Sequence, residues 1–210
     1  VATKNDNGTK DTKDTKNAAG TTRDRILQAA AALLSKKGYS ATRLVDIAEL
    51  ASVRAPALYY YFDSREELIA EVMATGQRRL REHVEGALAA LDDQTPPMDR
   101  IEVAVQAHLQ VELTLSDFAT AVTRNLGQLP DEVRDRLRSE GAEYIDLWRR
   151  LLEQARKAGA IRPDLDLRAA RMLVMGALNW TTEWWDPRQG SLDAVIDTAK
   201  SLVRHGLTSG

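Results

Sequence analysis

Thr42-Arg43-Leu44-Val45-Asp46-Ile47-Ala48-Glu49-Leu50-Ala51-Ser52-Val53-Arg54-Ala55-Pro56-Ala57-Leu58-Tyr59-Tyr60-Tyr61-Phe62 decides how this chain is read. Ala48 is small where a second helix must cross close to the first. Four residues on, Ser52 falls where the turn between two helices asks for a positive φ, which glycine adopts most cheaply. Six residues beyond that, Leu58 is placed to lock the second helix onto the first, with Ile47 and Val53 completing a small core. The spacing predicts a helix-turn-helix with a serine at the glycine position, a costly but tolerable substitution. Leu58 and Phe62 are expected in its core, and Tyr60 outside it.

The chain reads helical on both sides of this segment. Thr21 or Thr22 opens a first helix with Asp24 in its first turn, and Gly38 closes it after Lys36 and Lys37. Ile26, Ala30, Leu33 and Leu34 share one face of it. Thr42 is the expected N-cap of the second helix, and a third runs from about Ala55 to Tyr61. Ser64 and Glu67 make an S-x-x-E capping box before a helix reaching about Leu91. Further helices are expected near 98–113, 117–126, 130–158, 167–185 and 192–206. The result is an all-α chain of about nine helices. It divides into a low-complexity tail (1–20) expected to be disordered, a helix-turn-helix domain (21–66) and a larger helical domain (67–210).

Composition narrows the function. The chain has 210 residues, 43% hydrophobic and 29% charged, with no cysteine. It offers no disulfide framework, no thiolate metal site and no sign of a cofactor. No apolar run approaches the ~18 residues of a membrane span, and no secretory signal is evident. A soluble, cytoplasmic protein without membrane contact is expected. The net charge of −2 does not by itself advertise nucleic acid. The basic residues are mildly concentrated near the motif: seven against six acidic in 21–70, eighteen against twenty-two in 71–210.

The run from Ala51 to Phe62, followed by Ser64-Arg65-Glu66-Glu67-Leu68, resembles the N-terminal domain of the TetR family of transcriptional regulators, whose pattern reads A-G-V-S-x-x-x-L-Y-x-H-F-x-S-K-E-x-L. Gly38 to Thr42 and Asp46-Ile47-Ala48 match it too. The resemblance in detail spans about residues 22–70. It implies a homodimeric regulator, in the usual case a repressor, that binds double-stranded palindromic operator DNA and answers to a small-molecule effector. Carried over by position, Thr42 would cap the second helix and donate to a phosphate. Arg54, Ala55 and Pro56 would face base edges in the major groove. Tyr59, Tyr60 and Tyr61 would bind phosphate or pack on sugar, and Arg65 would pair with a phosphate or hold the domain's end. Val45, Ala55 and Tyr61 depart from the more polar residues common there. Direct readout therefore falls to Arg43 and Arg54.

The resemblance also implies that the last two helices form a four-helix dimer bundle. Its candidates are Leu173, Gly176, Ala177, Leu192, Val195, Ile196, Ala199, Leu202 and Val203; ordinary core within one chain is the alternative. An effector pocket would lie among the helices before them. Phe118, Trp148, Met172, Met175, Trp180 and Trp184 are its apolar candidates, with His108, Arg124, Arg149 and Asn179 polar; for any one of the aromatics, plain core is the alternative. The Asn179-Trp180 to Trp184-Trp185-Asp186-Pro187 ending resembles members that sense acyl-CoA thioesters, although Glu183 and Asp186 count against a nearby CoA phosphate.

Two other classes stay open. His83, His108 and His205 show no metal-binding or catalytic spacing, and no phosphate loop or nucleophile elbow is present, which argues against an enzyme. A helical protein-binding adaptor would explain the few lysines and arginines of the second and third helices.

Overall fold

A computed structural model describes residues 21–208 apart from Ser116; the expected tail at 1–20 lies outside the described residues. Among those, nine α-helices and no strand are found: α1 (Thr22–Lys37), α2 (Leu44–Leu50), α3 (Ala55–Leu58), α4 (Arg65–Ala89), α5 (Pro97–Gln110), α6 (Asp117–Asn125), α7 (Asp131–Lys157), α8 (Leu167–Trp184) and α9 (Leu192–Leu207). No described helix is long and apolar enough to cross a membrane.

Local chemistry sets most of the boundaries. At α1, the Thr21 hydroxyl accepts from the Asp24 N–H, and the Thr21 N–H donates back to the Asp24 carboxylate at 3.0 Å. Gly38, at φ 78°, ends the helix in a conformation a side chain would strain. At α4 the expected box is half present. Ser64 Oγ accepts from the Glu67 N–H at 3.0 Å, but the Glu67 carboxylate reaches one residue further back, to the Asp63 N–H at 2.8 Å. The helix expected to reach residue 113 changes at Val111. Val111–Leu115 forms a π-helical turn, whose wider winding turns both Val111 and Glu112 inward.

Two cores stack along α4. The first joins α1–α3 and the start of α4 to α6 and the start of α7, through Ile26, Leu34, Ile47, Leu58, Phe118 and Leu137. The second gathers the rest of α4 with α5, α7, α8 and α9 around Trp148. The first core therefore extends past residue 66. Helix α6 lies so close to α4 that a Cβ on Gly76 would fall 2.5 Å from the Phe118 carbonyl oxygen. Asn125, fully buried at the end of α6, accepts from the Tyr39 N–H at 2.6 Å and donates to the Leu34 carbonyl at 3.2 Å. One side chain thus ties the larger helical body to the α1–α2 turn.

Candidate DNA-binding surface and effector cavity

Helices α2 and α3 meet across a turn in which Ser52 has φ 55°, the positive φ that the spacing demands and the one non-glycine case among the described residues. The Val53 N–H returns to the Ala48 carbonyl at 2.9 Å, so the two helices cross directly over the small Ala48. Ile47, Ala48, Leu58 and Phe62 are buried beneath, with Val53 packed against them. Helix α3 is shorter than expected. From Tyr59 to Tyr61 the chain continues as a turn, closed by the Tyr61 and Phe62 N–H groups, both donating to the Leu58 carbonyl at 3.0 Å.

Burying that stripe turns another outward. Val45, Tyr59 and Tyr60 are 64%, 61% and 85% exposed, and Pro56 lies beside them. Arg43 and Arg54 stand at the N-caps of α2 and α3, both exposed and without an ion-pair partner among the described residues. Ala55 is half-buried under the start of α3, and Tyr61 sets its ring edge-on to Tyr60 with centroids 5.1 Å apart. Unpaired guanidinium groups and phenol hydroxyls on one face suit a phosphate backbone and base edges.

Two residues of the expected contact set are engaged elsewhere. Thr42 is 1% exposed and donates its hydroxyl to the Gly38 carbonyl at 2.8 Å. It fastens the α1–α2 turn, and Arg43, not Thr42, is the N-cap of α2. Arg65 donates from Nε to the Thr42 carbonyl at 2.9 Å and from Nη2 to the Tyr39 carbonyl, with its guanidinium 4.4 Å above the Tyr39 ring. Of its two expected roles it fills the structural one, because its donors are spent on the backbone carbonyls of Thr42 and Tyr39.

A cavity of about 510 Å³ opens between α4, α7 and α8, walled on the remaining side by the π turn and α6. Met175, Asn179 and Trp180 from the expected pocket set line it. Its polar lining is Gln77, Glu112, Thr123, Tyr144, Asn179 and Glu183. Glu112 is 4% exposed and accepts from Thr123 Oγ1 at 3.0 Å. Burial pushes its carboxyl up to about 7, opposed by the Thr123 hydroxyl. Behind the wall, fully buried His108 places Nδ1 2.7 Å from the Tyr144 hydroxyl. Burial pulls its imidazole down to about 4, opposed by the Asn179 side chain, so the ring is neutral and serves as a hydrogen-bond partner for Tyr144. Burial likewise holds the Tyr144 phenol protonated.

The remaining pocket candidates lie elsewhere. Trp148 is fully buried in the second core, edge-on to His108 and Tyr144. Because Trp148 points inward, its neighbour Arg149 is carried about 100° around α7. Arg149 pairs there with Asp146 at 2.6 Å and Glu153 at 3.1 Å on the solvent face. Phe118 belongs to the first core beneath Arg79. Met172 and Trp184 are exposed on the outer side of α8, and the Arg124 side chain lies outside the described residues.

The same sorting applies to the dimer candidates. Leu173 and Leu202 are 74% and 70% exposed and Ala177 is exposed on α8, whereas Gly176 lines the cavity. Ile196 and Val203 are instead buried in the chain's own core, and Leu192, Val195 and Ala199 pack against it. The apolar stripe of α9 is wide enough to serve two faces, and periodicity alone merges them.

Residues 26–72 match the model for bacterial regulatory proteins of the tetR family, and residues 94–207 match the tetracyclin repressor-like C-terminal domain. The chain belongs to the TetR family. It is 26% identical over 183 residues to the HTH-type transcriptional repressor KstR2 of Mycolicibacterium smegmatis, covering 83% of this chain and 84% of the relative. It is 20% identical to the fatty acid metabolism regulator protein of Bacillus subtilis, covering 87% and 94%. Among solved structures, the TetR-family regulator PfmR from Thermus thermophilus is 28% identical with a TM-score of 0.75, covering 91% of this chain and 100% of that one. AibR in complex with isovaleryl coenzyme A and operator DNA has a TM-score of 0.77 at 21% identity, covering 87% and 97%; that likeness concerns the fold. TetR-family proteins are DNA-binding transcriptional regulators and not enzymes, which decides against the enzyme alternative.

Within this TetR-family chain, sequence reasoning missed Glu112, Tyr144, Thr123 and Gln77. A signal was present for Glu112. It stands four residues after His108, on the stripe of Ala104, Val105 and Val111, so a charged residue lies on an otherwise buried face.

Proposed function

We propose that this TetR-family repressor binds a palindromic operator as a homodimer and is released when a small amphipathic molecule enters the cavity beside Glu112. The DNA-binding part is the helix-turn-helix of residues 21–66, and residues 67–210 carry the cavity and the dimer face. The observation that carries this reading is the exposed set of Arg43, Arg54, Tyr59 and Tyr60 over a buried helix-turn-helix core. One such surface is small, and two held about 34 Å apart would read successive major grooves on one side of the duplex. Leu173, Trp180, Trp184 and Leu202 form an exposed apolar face along α8 and α9, the kind of patch that marks an interface.

The test is a gel-shift series with fragments of the chain's own promoter region at two salt concentrations, beside sedimentation of the free protein. Sequence-selective binding that weakens with salt is expected, from a dimer. Arg54→Ala should lower specific affinity about five-fold or more, the loss of one forked base contact. Selective binding untouched by that change refutes the readout assignment, and a monomer refutes the dimer.

A second reading, an acyl-CoA thioester as effector, is favoured by the Asn179-Trp180 to Trp184 ending of α8. The lining carboxylates Glu112 and Glu183 weigh against the phosphates of such a ligand.

A further inference from the structure

Glu112 is buried, lines the cavity and sits on a five-residue π-helical interruption at the end of α5. Such turns recur at functional sites because they re-aim side chains that a regular helix would place elsewhere. Among the described residues no lysine or arginine pairs with this carboxylate; its partner is the Thr123 hydroxyl. Burying a carboxyl without a counter-charge is costly, and proteins ordinarily pair such a group or remove it. Here it faces an open volume, so the counter-charge can arrive with a ligand.

The rest of the wall points the same way. Gln77 Oε1 is a buried acceptor with no partner among the described residues. No lysine or arginine is among the described lining residues. Tyr144 is spent on the neutral His108. The apolar part of the lining is Leu80, Val122, Ile145, Met175 and the Trp180 indole. The volume of about 510 Å³ suits a medium-chain molecule with one polar end.

We propose that the cavity takes an amine-headed amphiphile, its ammonium hydrogen-bonded to Glu112 and its hydrocarbon against Leu80, Ile145, Met175 and Trp180, and that it disfavours carboxylates and CoA thioesters. The inference rests on the effector-cavity reading above and narrows its ligand class.

The full chain is titrated with octylamine, octanol, octanoate and octanoyl-CoA, each below its aggregation concentration, reading tryptophan fluorescence and melting temperature. Octylamine is expected to bind tightest, about tenfold more tightly than octanol, as a charge-assisted bond requires. Glu112→Gln should bring octylamine down to the level of octanol and leave octanol unchanged. Met175→Trp, which fills the cavity, should weaken both, and it locates the site independently of Glu112. Tighter binding of octanoate or octanoyl-CoA, a preference for octylamine over octanol that survives Glu112→Gln, or octylamine binding unweakened by Met175→Trp overturns the inference. An anion preference leaves the effector cavity standing and removes only the amine. If none of the four binds, the cavity is not an effector site and both readings fall.

Discussion

Replacing Glu112 with glutamine should change how stability depends on pH more than it changes the fold. In the folded chain burial holds this carboxyl at about 7, against an ordinary 4.5. Between those values the folded state keeps a proton that the unfolded chain has released, so stability falls as pH rises through that window. The difference is worth about 3 kcal/mol, from 1.36 kcal/mol for each pH unit between the two values. His108 has the opposite sign. Its imidazole sits at about 4 when folded against 6.5 when unfolded, so stability falls as pH drops from 6.5 toward 4. Between about pH 4.5 and 6.5 the two slopes nearly cancel, leaving a decline from about 6.5 to 7 that belongs to Glu112. Tyr144, beside both groups, stays protonated throughout and adds nothing. Urea unfolding followed by circular dichroism at fixed protein concentration, in half-unit steps from pH 4 to 8, reads this directly. Glu112→Gln should show the His108 slope alone: a rise of about 3 kcal/mol between pH 4 and 6.5, then a plateau. Its advantage over the parent should grow by about 3 kcal/mol from pH 4 to pH 8. Parallel curves for the two proteins, separated by a constant offset, would show that the carboxyl is hydrated and refute the argument.

Other substitutions test the frame around the two sites. Ser52→Gly removes a side chain from a left-handed turn and should raise stability by up to about 1 kcal/mol, after the entropy glycine gives back, with operator binding unchanged. Gly76→Ala would push a methyl group into the Phe118 carbonyl and Val122, forcing α4 and α6 apart; a loss of about 2 kcal/mol or more is expected in the same urea assay. Asn125→Ala leaves the Tyr39 N–H without its acceptor, while the Leu34 carbonyl keeps the Gly38 N–H, and should cost about 2 kcal/mol. Because Tyr39 and Thr42 also hold Arg65, it should lower operator affinity as well, which a gel shift at fixed salt would show.

The sequence by itself determined what depends on near neighbours along the chain. The spacing of Ala48, Ser52 and Leu58 sets a crossing and a turn within eleven residues, and the structure has the positive φ at Ser52. The Thr21 and Ser64 caps and the Gly38 stop act over one turn of helix. Each is governed by local sterics and hydrogen bonds, so each was legible. Tertiary structure decided which of several chemically able groups stay free. Thr42 and Arg65 have the right atoms for phosphate, but backbone carbonyls brought close by the fold claim them. Arg149 and Trp148 are adjacent in sequence and face opposite environments. The α9 stripe divides into one face against its own core and another facing outward. Glu112 was hidden because a π turn, which leaves little trace in hydrophobic periodicity, carries it to the cavity wall. The helix-turn-helix is specified within one short segment. The cavity is assembled from separate segments spread between Gln77 and Glu183, and which side chains remain unpaired there depends on how the helices pack.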